Sequence, residues 1–389
     1  MDSFVFSNPT KIVFGRGVES QVGSETGNYA SRVLLHFSGG SAVKSGLLGR
    51  VRQSLEASGV EVVELGGVQP NPRVSLVREG IKLCRERDIS FILAVGGGSV
   101  IDSAKAIAVG VPYSGDVWDF YDYASTPTEA IGVGVVLTIP AAGSESSSSS
   151  VISNESLELK RGLTSELLRP CFALMNPELT CSLSPWQTAC GAADIMAHVM
   201  ERYFTNTKNV ELTDNLCEAA LRTVVSNVPK ILADPSDYAA RSELMWTGTI
   251  AHNDILGTGR EGDWGSHSIE HEISALYDVA HGAGLAVVFP AWMKHVHGHD
   301  VARFARFAVR VFGVDEDFFN PEAIALEGIR RLESFFRMIG LPVRLSELGV
   351  PTDKIQLMAE KCTVKGHGTT GNFVKLDAAA VRKILELAS

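Results

Sequence analysis

Asp194 and His198 stand four residues apart in the run GAADIMAHVME, and His267, His271 and His281 follow in WGSHSIEHEISALYDVAHGAG. A carboxylate and several imidazoles converging from separate helices are a common way to hold a divalent cation with one coordination position open. Residues four apart share a helical face and stand close enough to chelate one ion. The segment from about Trp186 to Phe204 lacks proline and sets Cys190, Ala193, Ala197 and Phe204 beside the pair, so these polar groups are expected to face inward, where a buried charge needs a partner. For Asp194 and His198 alone, a hydrogen-bonded pair inside a helical core is the plain alternative. His267 and His271 repeat the spacing, and His281 follows just past an expected helix break at Tyr277-Asp278. Three of the ten histidines within fifteen residues favour a metal centre, and with it a metal-dependent enzyme.

Two glycine loops supply a second kind of chemistry. In FILAVGGGSVIDSAKAIA a buried strand runs into Gly96-Gly97-Gly98-Ser99 and then a helix. Glycines let backbone amides approach an anion, and the positive end of the helix dipole favours phosphate. Ser99 and Asp102 have capping-box spacing. A tight strand-to-helix turn with a good cap would read the same way, but the position after a strand is that of a doubly wound nucleotide site. Earlier, Ser38-Gly39-Gly40-Ser41 follows the strand RVLLHF, with Lys44 close behind. A cofactor bearing a free ribose 2′-hydroxyl is usually met by Asp or Glu at such a strand end, and none is present, which favours NADP(H) over NAD(H). GRGVES near residue 15 lacks the third glycine of a dinucleotide fingerprint and reads as a turn. His295, His297 and His299 alternate, but beside Gly298 at an apparent helix end they read as exposed histidines.

These residues need elements to place them. Runs at 32–37, 61–65, 90–95, 131–139 and 171–175 read as strands alternating with helical patterns, which predicts a parallel sheet flanked by helices. From about Leu179 the pattern turns to long helices, including 185–204, 210–232, 236–255, 300–312, 321–338 and 376–388. The expectation is an α/β dinucleotide-binding domain over residues 1–180 and an all-helical, metal-binding domain over 181–389. SESSSSS, at 144–150, reads as a short loop entering a strand rather than a linker.

Composition bounds the rest. A chain of 389 residues with 45% hydrophobic and 21% charged residues suits a two-domain globular protein. A formal net charge of -10 without a basic run argues against nucleic acid and anionic membranes as partners. The six cysteines form no CxxC pair and read as small buried residues of a reducing compartment. MDSFVFSNPTKIVF lacks the layout of a signal peptide, and no apolar run has membrane-spanning length, so a cytoplasmic location is expected.

Taken together, NPTKIVFGRG, the PNP of Pro70 to Pro72, GGGSVIDSAK, LTIPAAGSES, NPELT, GAADIMAHVME and the histidine cluster resemble, in family order and over nearly the whole chain, the iron-containing or group III alcohol dehydrogenases. The chain looks most like their butanol dehydrogenase and aldehyde reductase branch. The resemblance implies a dehydroquinate synthase-like fold, a metal held by Asp194, His198, His267 and His281, and commonly a homodimer. It also implies that His271 lies near the nicotinamide, and that Gly97, Gly98 and Ser99 lie along the pyrophosphate, with Asp102 at the same loop. Thr138, Ser144 and Lys160 match cofactor-contacting positions, and Gly39 stands where NAD-preferring members carry an acid. Ser149 and Val151 fall on the substrate side, where the run Ser146 to Ser150 looks unusually rich in hydroxyls. Asp plus three His suits Fe²⁺ or Zn²⁺ alike.

The expected reaction is reversible hydride transfer between NADP(H) and a small primary alcohol or aldehyde. Alternatives are an NAD- and metal-dependent polyol dehydrogenase, or a sugar-phosphate cyclase resembling dehydroquinate synthase. The cyclase needs clustered cations for a substrate phosphate, and Arg202 and Arg260 are the nearest basic residues to offer.

Overall fold

A computed structural model describes residues 1–317, 319–363 and 368–389, the side chains of residues 41 and 43 excepted. The chain forms two compact units. One comprises Ser7–Leu183 and Pro235–Asn253, the other Met1–Phe6, Ser184–Asp234 and Asp254–Ser389.

The first unit is built on strands β1 (Lys11–Phe14), β2 (Arg32–Phe37), β3 (Glu61–Leu65), β4 (Phe91–Gly96), β5 (Gly132–Leu137), β6 (Ser149–Asn154), β7 (Leu159–Thr164) and β8 (Phe172–Met175). Six of them make an all-parallel sheet in the order β1-β8-β5-β4-β2-β3, while β6 and β7 pair antiparallel as a separate hairpin. The five strands expected from sequence all form. The apolar runs of β2, β4, β5 and β8 are buried on both faces, as a parallel sheet requires, while edge strand β3 buries only Leu65. Leu34, Ile92, Val135 and Ala173 pack on one face, and Val33, Leu93, Val136 and Leu174 on the other. β1 and β7 are new. β1 is a four-residue edge strand with half-exposed positions, and β7, LKRGLT, mixes charge with glycine, so neither carries a clear apolar period.

The chain leaves β2 toward β3 on one side and returns through β4 toward β5 on the other. The strand order therefore reverses between β2 and β4, where α/β sheets bind ligands beyond their carboxyl ends. Phe37 and Val95 are register partners, so both glycine loops leave the sheet at the same level. The helix Tyr238–His252 contributes Met245 to this unit's core.

The described residues of the second unit are largely helical. Pro185–Tyr203 starts with a complete capping box, Ser184 and Gln187 satisfying one another's backbone amides, and Pro185 takes the first turn, where its missing N–H costs nothing. Gly265–Tyr277 ends at Asp278, whose φ of 51° breaks the helix at the expected place, and His281–Val296 follows. Gly282 lets the Pro185–Tyr203 and His281–Val296 helices approach closely: a Cβ there would lie 1.9 Å from the Cys190 carbonyl oxygen. No helix among the described residues is long and apolar enough to cross a membrane.

Candidate active site

Three helices of the second unit carry the candidate ligands: Asp194 and His198 on Pro185–Tyr203, His267 and His271 on Gly265–Tyr277, and His281 at the start of His281–Val296. A carboxylate oxygen of Asp194 and ring nitrogens of His267 and His281 lie within 4.8 Å of one another. The His198 ring is 4.7 Å from that of His267, and its Nδ1 stands 3.1 Å from Asp194 Oδ1. His271 lies at the margin, its ring 5.7 Å from that of His281 and 6.5 Å from that of His267. With Glu270 and His281 it makes a second ligand-type group.

Two atoms in this cluster decide what it can do. His267 Nε2 is buried and makes no hydrogen bond, and buried Asp194 Oδ1 has only ring nitrogens near it, His198 Nδ1 at 3.1 Å, which bonds the Asp194 carbonyl oxygen, and His281 Nε2 at 3.7 Å. Leaving such atoms unmatched is costly, and a cation among them removes the cost. The protonation states agree with that role. Burial alone would raise the Asp194 carboxyl, but His198, His281 and His267 outweigh it and hold it well below the usual carboxylate range. Burial, aided by His198 and His281, pushes His267 well below the usual imidazole range. An ionised carboxylate beside a neutral imidazole is the state a metal requires. These residues therefore fit a divalent ion.

The ring orientations come from partners that the sequence reading missed. His198 Nδ1 bonds the Asp194 carbonyl oxygen at 2.9 Å, and His267 Nδ1 bonds Glu201 Oε1 at 2.8 Å. His281 Nδ1 bonds Glu270 Oε2. Burial pushes the Glu201 carboxyl up to about 7, against the pull of the His267 and Trp264 amides. The available signal was an acid three residues beyond a candidate ligand histidine in both motifs, Glu201 after His198 and Glu270 after His267.

In the first unit, Gly97 is the N-cap of Gly98–Gly110, and no side chain caps that helix, contrary to the expected capping box of Ser99 and Asp102. Asp102 has better donors elsewhere. Its Oδ1 accepts from Ser144 Oγ at 2.5 Å, and its Oδ2 from the Val151 amide at 3.0 Å. Ser99 lies half-buried in the helix's first turn. Cβ atoms at Gly97 and Gly98 would press on Ile139 and Ala142, so these glycines let the LTIPAAGSES segment cross the loop. Thr138 donates its amide to Gly96 at 3.0 Å. Thr138 also lines a cavity of about 280 Å³ with Ala42, Ser45 and Asn176, which joins this loop to the one after β2. Gly39 and Gly40 are exposed, with open space where a Cβ would stand. Ser41 begins a short helix that ends at exposed Lys44, and the Ser41 side chain lies outside the described residues.

Lys160 is buried in β7. The serine run faces inward: Ser147 accepts from the buried Lys105 ammonium, and Ser150 bonds Tyr121 and the Asp102 carbonyl. These hydroxyls hold the loop together, while Ser149 and Val151 remain half-buried in β6.

Residues 9–177 match the family model described as iron-containing alcohol dehydrogenase, and residues 188–389 match that of the C-terminal region of the Fe-containing alcohol dehydrogenase family. The chain belongs to the iron-containing alcohol dehydrogenase family. It is 43% identical over 386 residues to the probable NADH-dependent butanol dehydrogenase 1 of Bacillus subtilis, covering 99% of both chains. It is 33% identical over 391 residues to the NADPH-dependent aldehyde reductase YqhD of Escherichia coli, covering 100% of both. A crystal structure of the NADH-dependent butanol dehydrogenase A of Thermotoga maritima superposes with a TM-score of 0.96 at 39% identity, covering 100% of this chain and 99% of that one. The chain is thus an NAD(P)-dependent oxidoreductase acting on CH–OH groups, and family membership implies a divalent metal.

The cyclase alternative loses its cations. Arg202 donates to the His198 carbonyl and pairs with Asp254, and Arg260 bonds Asp214 and the Arg202 and Val210 carbonyls. Both are buried.

Proposed function

We propose that the protein transfers hydride reversibly between NADP(H) and a small primary alcohol or aldehyde, with Asp194, His198, His267 and His281 holding a divalent ion. The observation that carries this reading is the pair of unmatched buried atoms, Asp194 Oδ1 and His267 Nε2, inside the carboxylate and imidazole cluster. When bound, Fe²⁺ or Zn²⁺ supplies Lewis acidity at the substrate oxygen, and the nicotinamide carries the hydride. The chain's own part is placement. Gly97, Gly98 and Ser99 offer a helix N-terminus to the pyrophosphate. Asp102, fixed by Ser144, holds the Val151 amide and so the substrate-side strand. Thr138 and Lys160 complete the cofactor contacts, and half-buried His271 takes up or delivers the proton.

The choice of NADP(H) rests on the absence of an acid at 38–41 and on exposed Lys44, which leave room and charge for a 2′-phosphate. NAD(H) is the second reading, favoured by the 43% identical relative's name. A homodimer in the cytoplasm belongs to the same proposal, supported by the family resemblance and by six free cysteines, and light scattering tests the dimer. The reaction is tested by following nicotinamide absorbance with butanal and NADPH or NADH, using protein reconstituted with Fe²⁺ or Zn²⁺ and a chelated control. Metal-dependent oxidation, with kcat/KM for NADPH above that for NADH, is expected. Oxidation that survives chelation would sink the metal reading, and a strong NADH preference the choice of NADP(H).

A further inference from the structure

We infer that Glu201 and Glu270 are positioning residues for the metal centre, each reaching from one helix to fix a ligand imidazole on the next. The inference rests on the assignment of His267 and His281 as ligands. Both carboxylates are fully buried, which is tolerable only where several donors converge.

Glu201 gathers three donors: the Trp264 amide at 2.6 Å, the His267 amide at 3.0 Å and His267 Nδ1 at 2.8 Å. The amides belong to the start of Gly265–Tyr277, which has no side-chain cap on its N-cap residue. Glu201 therefore caps a helix from outside and orients that helix's ligand with the same oxygen. Glu270, on that second helix, accepts from Ser274 Oγ and from His281 Nδ1 at the start of the third. Gly284 leaves room for it, since a Cβ there would lie 2.8 Å from Glu270 Oε1. The two acids link the three helices in series. In both, a carboxylate receiving Nδ1–H fixes the tautomer whose Nε2 carries the lone pair, and Nε2 of His267 is the buried unmatched atom.

The two sites respond differently to an amide. Glu201→Gln leaves one acceptor oxygen for three donors and turns an NH₂ toward a backbone N–H. In Glu270→Gln the carbonyl still accepts from His281, and the NH₂ donates to Ser274 Oγ. Zn²⁺ affinity by competition with a chromophoric chelator, with histidine ¹⁵N NMR of the apo proteins, tests this. Glu201→Gln and Glu270→Ala should each weaken Zn²⁺ binding roughly 10–100-fold, with ¹⁵N signals showing a shift of the proton from Nδ1 to Nε2. Glu270→Gln should stay within a few-fold of wild type. If Glu201→Gln does not fold, the Glu270→Ala and Glu270→Gln pair carries the test. Wild-type affinity, or unchanged ¹⁵N signals, in both Glu201→Gln and Glu270→Ala would overturn the inference. Failure of the wild-type protein to bind Zn²⁺ would instead overturn the ligand assignment beneath it.

Discussion

Gly282→Ala puts the metal centre under a defined displacement. The added Cβ falls 1.9 Å from the Cys190 carbonyl oxygen and 3.0 Å from its Cα, both backbone atoms of a well-capped helix that cannot swing aside. To reach ordinary contact the helices must part by about 1.5 Å. His281 is the adjacent residue, and Asp194 lies one turn beyond Cys190, so the separation acts directly on two of the proposed ligands. Ligand distances are held within about 0.2 Å, so the shift is several times what coordination tolerates. Overpacking of this kind costs about 1–3 kcal/mol, which a domain of this size survives. The variant should fold, with Zn²⁺ affinity down at least roughly 10–100-fold and metal-dependent butanal reduction down with it. The assays are chelator competition, metal content after desalting and circular dichroism. Gly49→Ala, in a helix with nothing within 4 Å of the new Cβ, is the control and should be neutral or stabilising. Wild-type Zn²⁺ affinity in Gly282→Ala would refute the idea that this glycine contact sets the ligand geometry.

Three further outcomes are expected. Asp194→Ala should lose metal on desalting and abolish turnover, and full metal content with full activity would exclude Asp194 as a ligand. Gly39→Asp should move the kcat/KM ratio toward NADH by at least about tenfold, or about 1.4 kcal/mol; an unmoved ratio would remove this loop from cofactor choice. His36, buried between the Leu65 carbonyl and Ser103 Oγ, is pushed by burial down to about 4 despite the Leu65 hydrogen bond. The unfolded chain then binds a proton that the folded one refuses. Its contribution is fully present above about pH 6.5 and falls by up to about 3 kcal/mol as pH drops toward 4. Urea unfolding at pH 4.5 and 7.5 should show a smaller pH effect in His36→Asn than in wild type, and equal effects would refute it.

The parts legible in sequence were those with a strong period or a fixed spacing. β2 has the expected ends because a buried parallel strand is a continuous apolar run, and Pro321–Met338 has them because Asn320 and Pro321 mark its start, while β3, the edge strand EVVEL, is bounded by its glutamate and the glycines after Leu65. The Asp194 and His198 spacing implied a shared helical face, and the two are in contact. Tertiary partnership was what sequence spacing did not convey. Asp102 looked like a helix cap, but its oxygens are taken by Ser144 and Val151, more than forty residues away. The serine run looked like hydroxyls for a substrate, yet its buried members bond Lys105, Tyr121 and Asn8. Glu201 and Glu270 had a local mark, each standing three residues beyond a histidine, but the histidine each one meets lies on another helix, and spacing along the chain does not convey that.

The helix Tyr238–His252 has a practical consequence for anyone cutting or recombining the gene. It lies within the stretch that belongs with the sheet although the chain has already entered the helical unit before it. Met245 sits in the sheet's core, Arg241 reaches Thr180, and Thr249 donates to the buried Glu145. A fragment ending at Leu183 would expose that apolar face and strand the Glu145 carboxylate, so insolubility is the expected fate. A chimera that transplants the parallel sheet from a relative must carry residues 235–253 with it. The smallest heritable module that carries the whole sheet unit is therefore two stretches of coding sequence, 7–183 and 235–253.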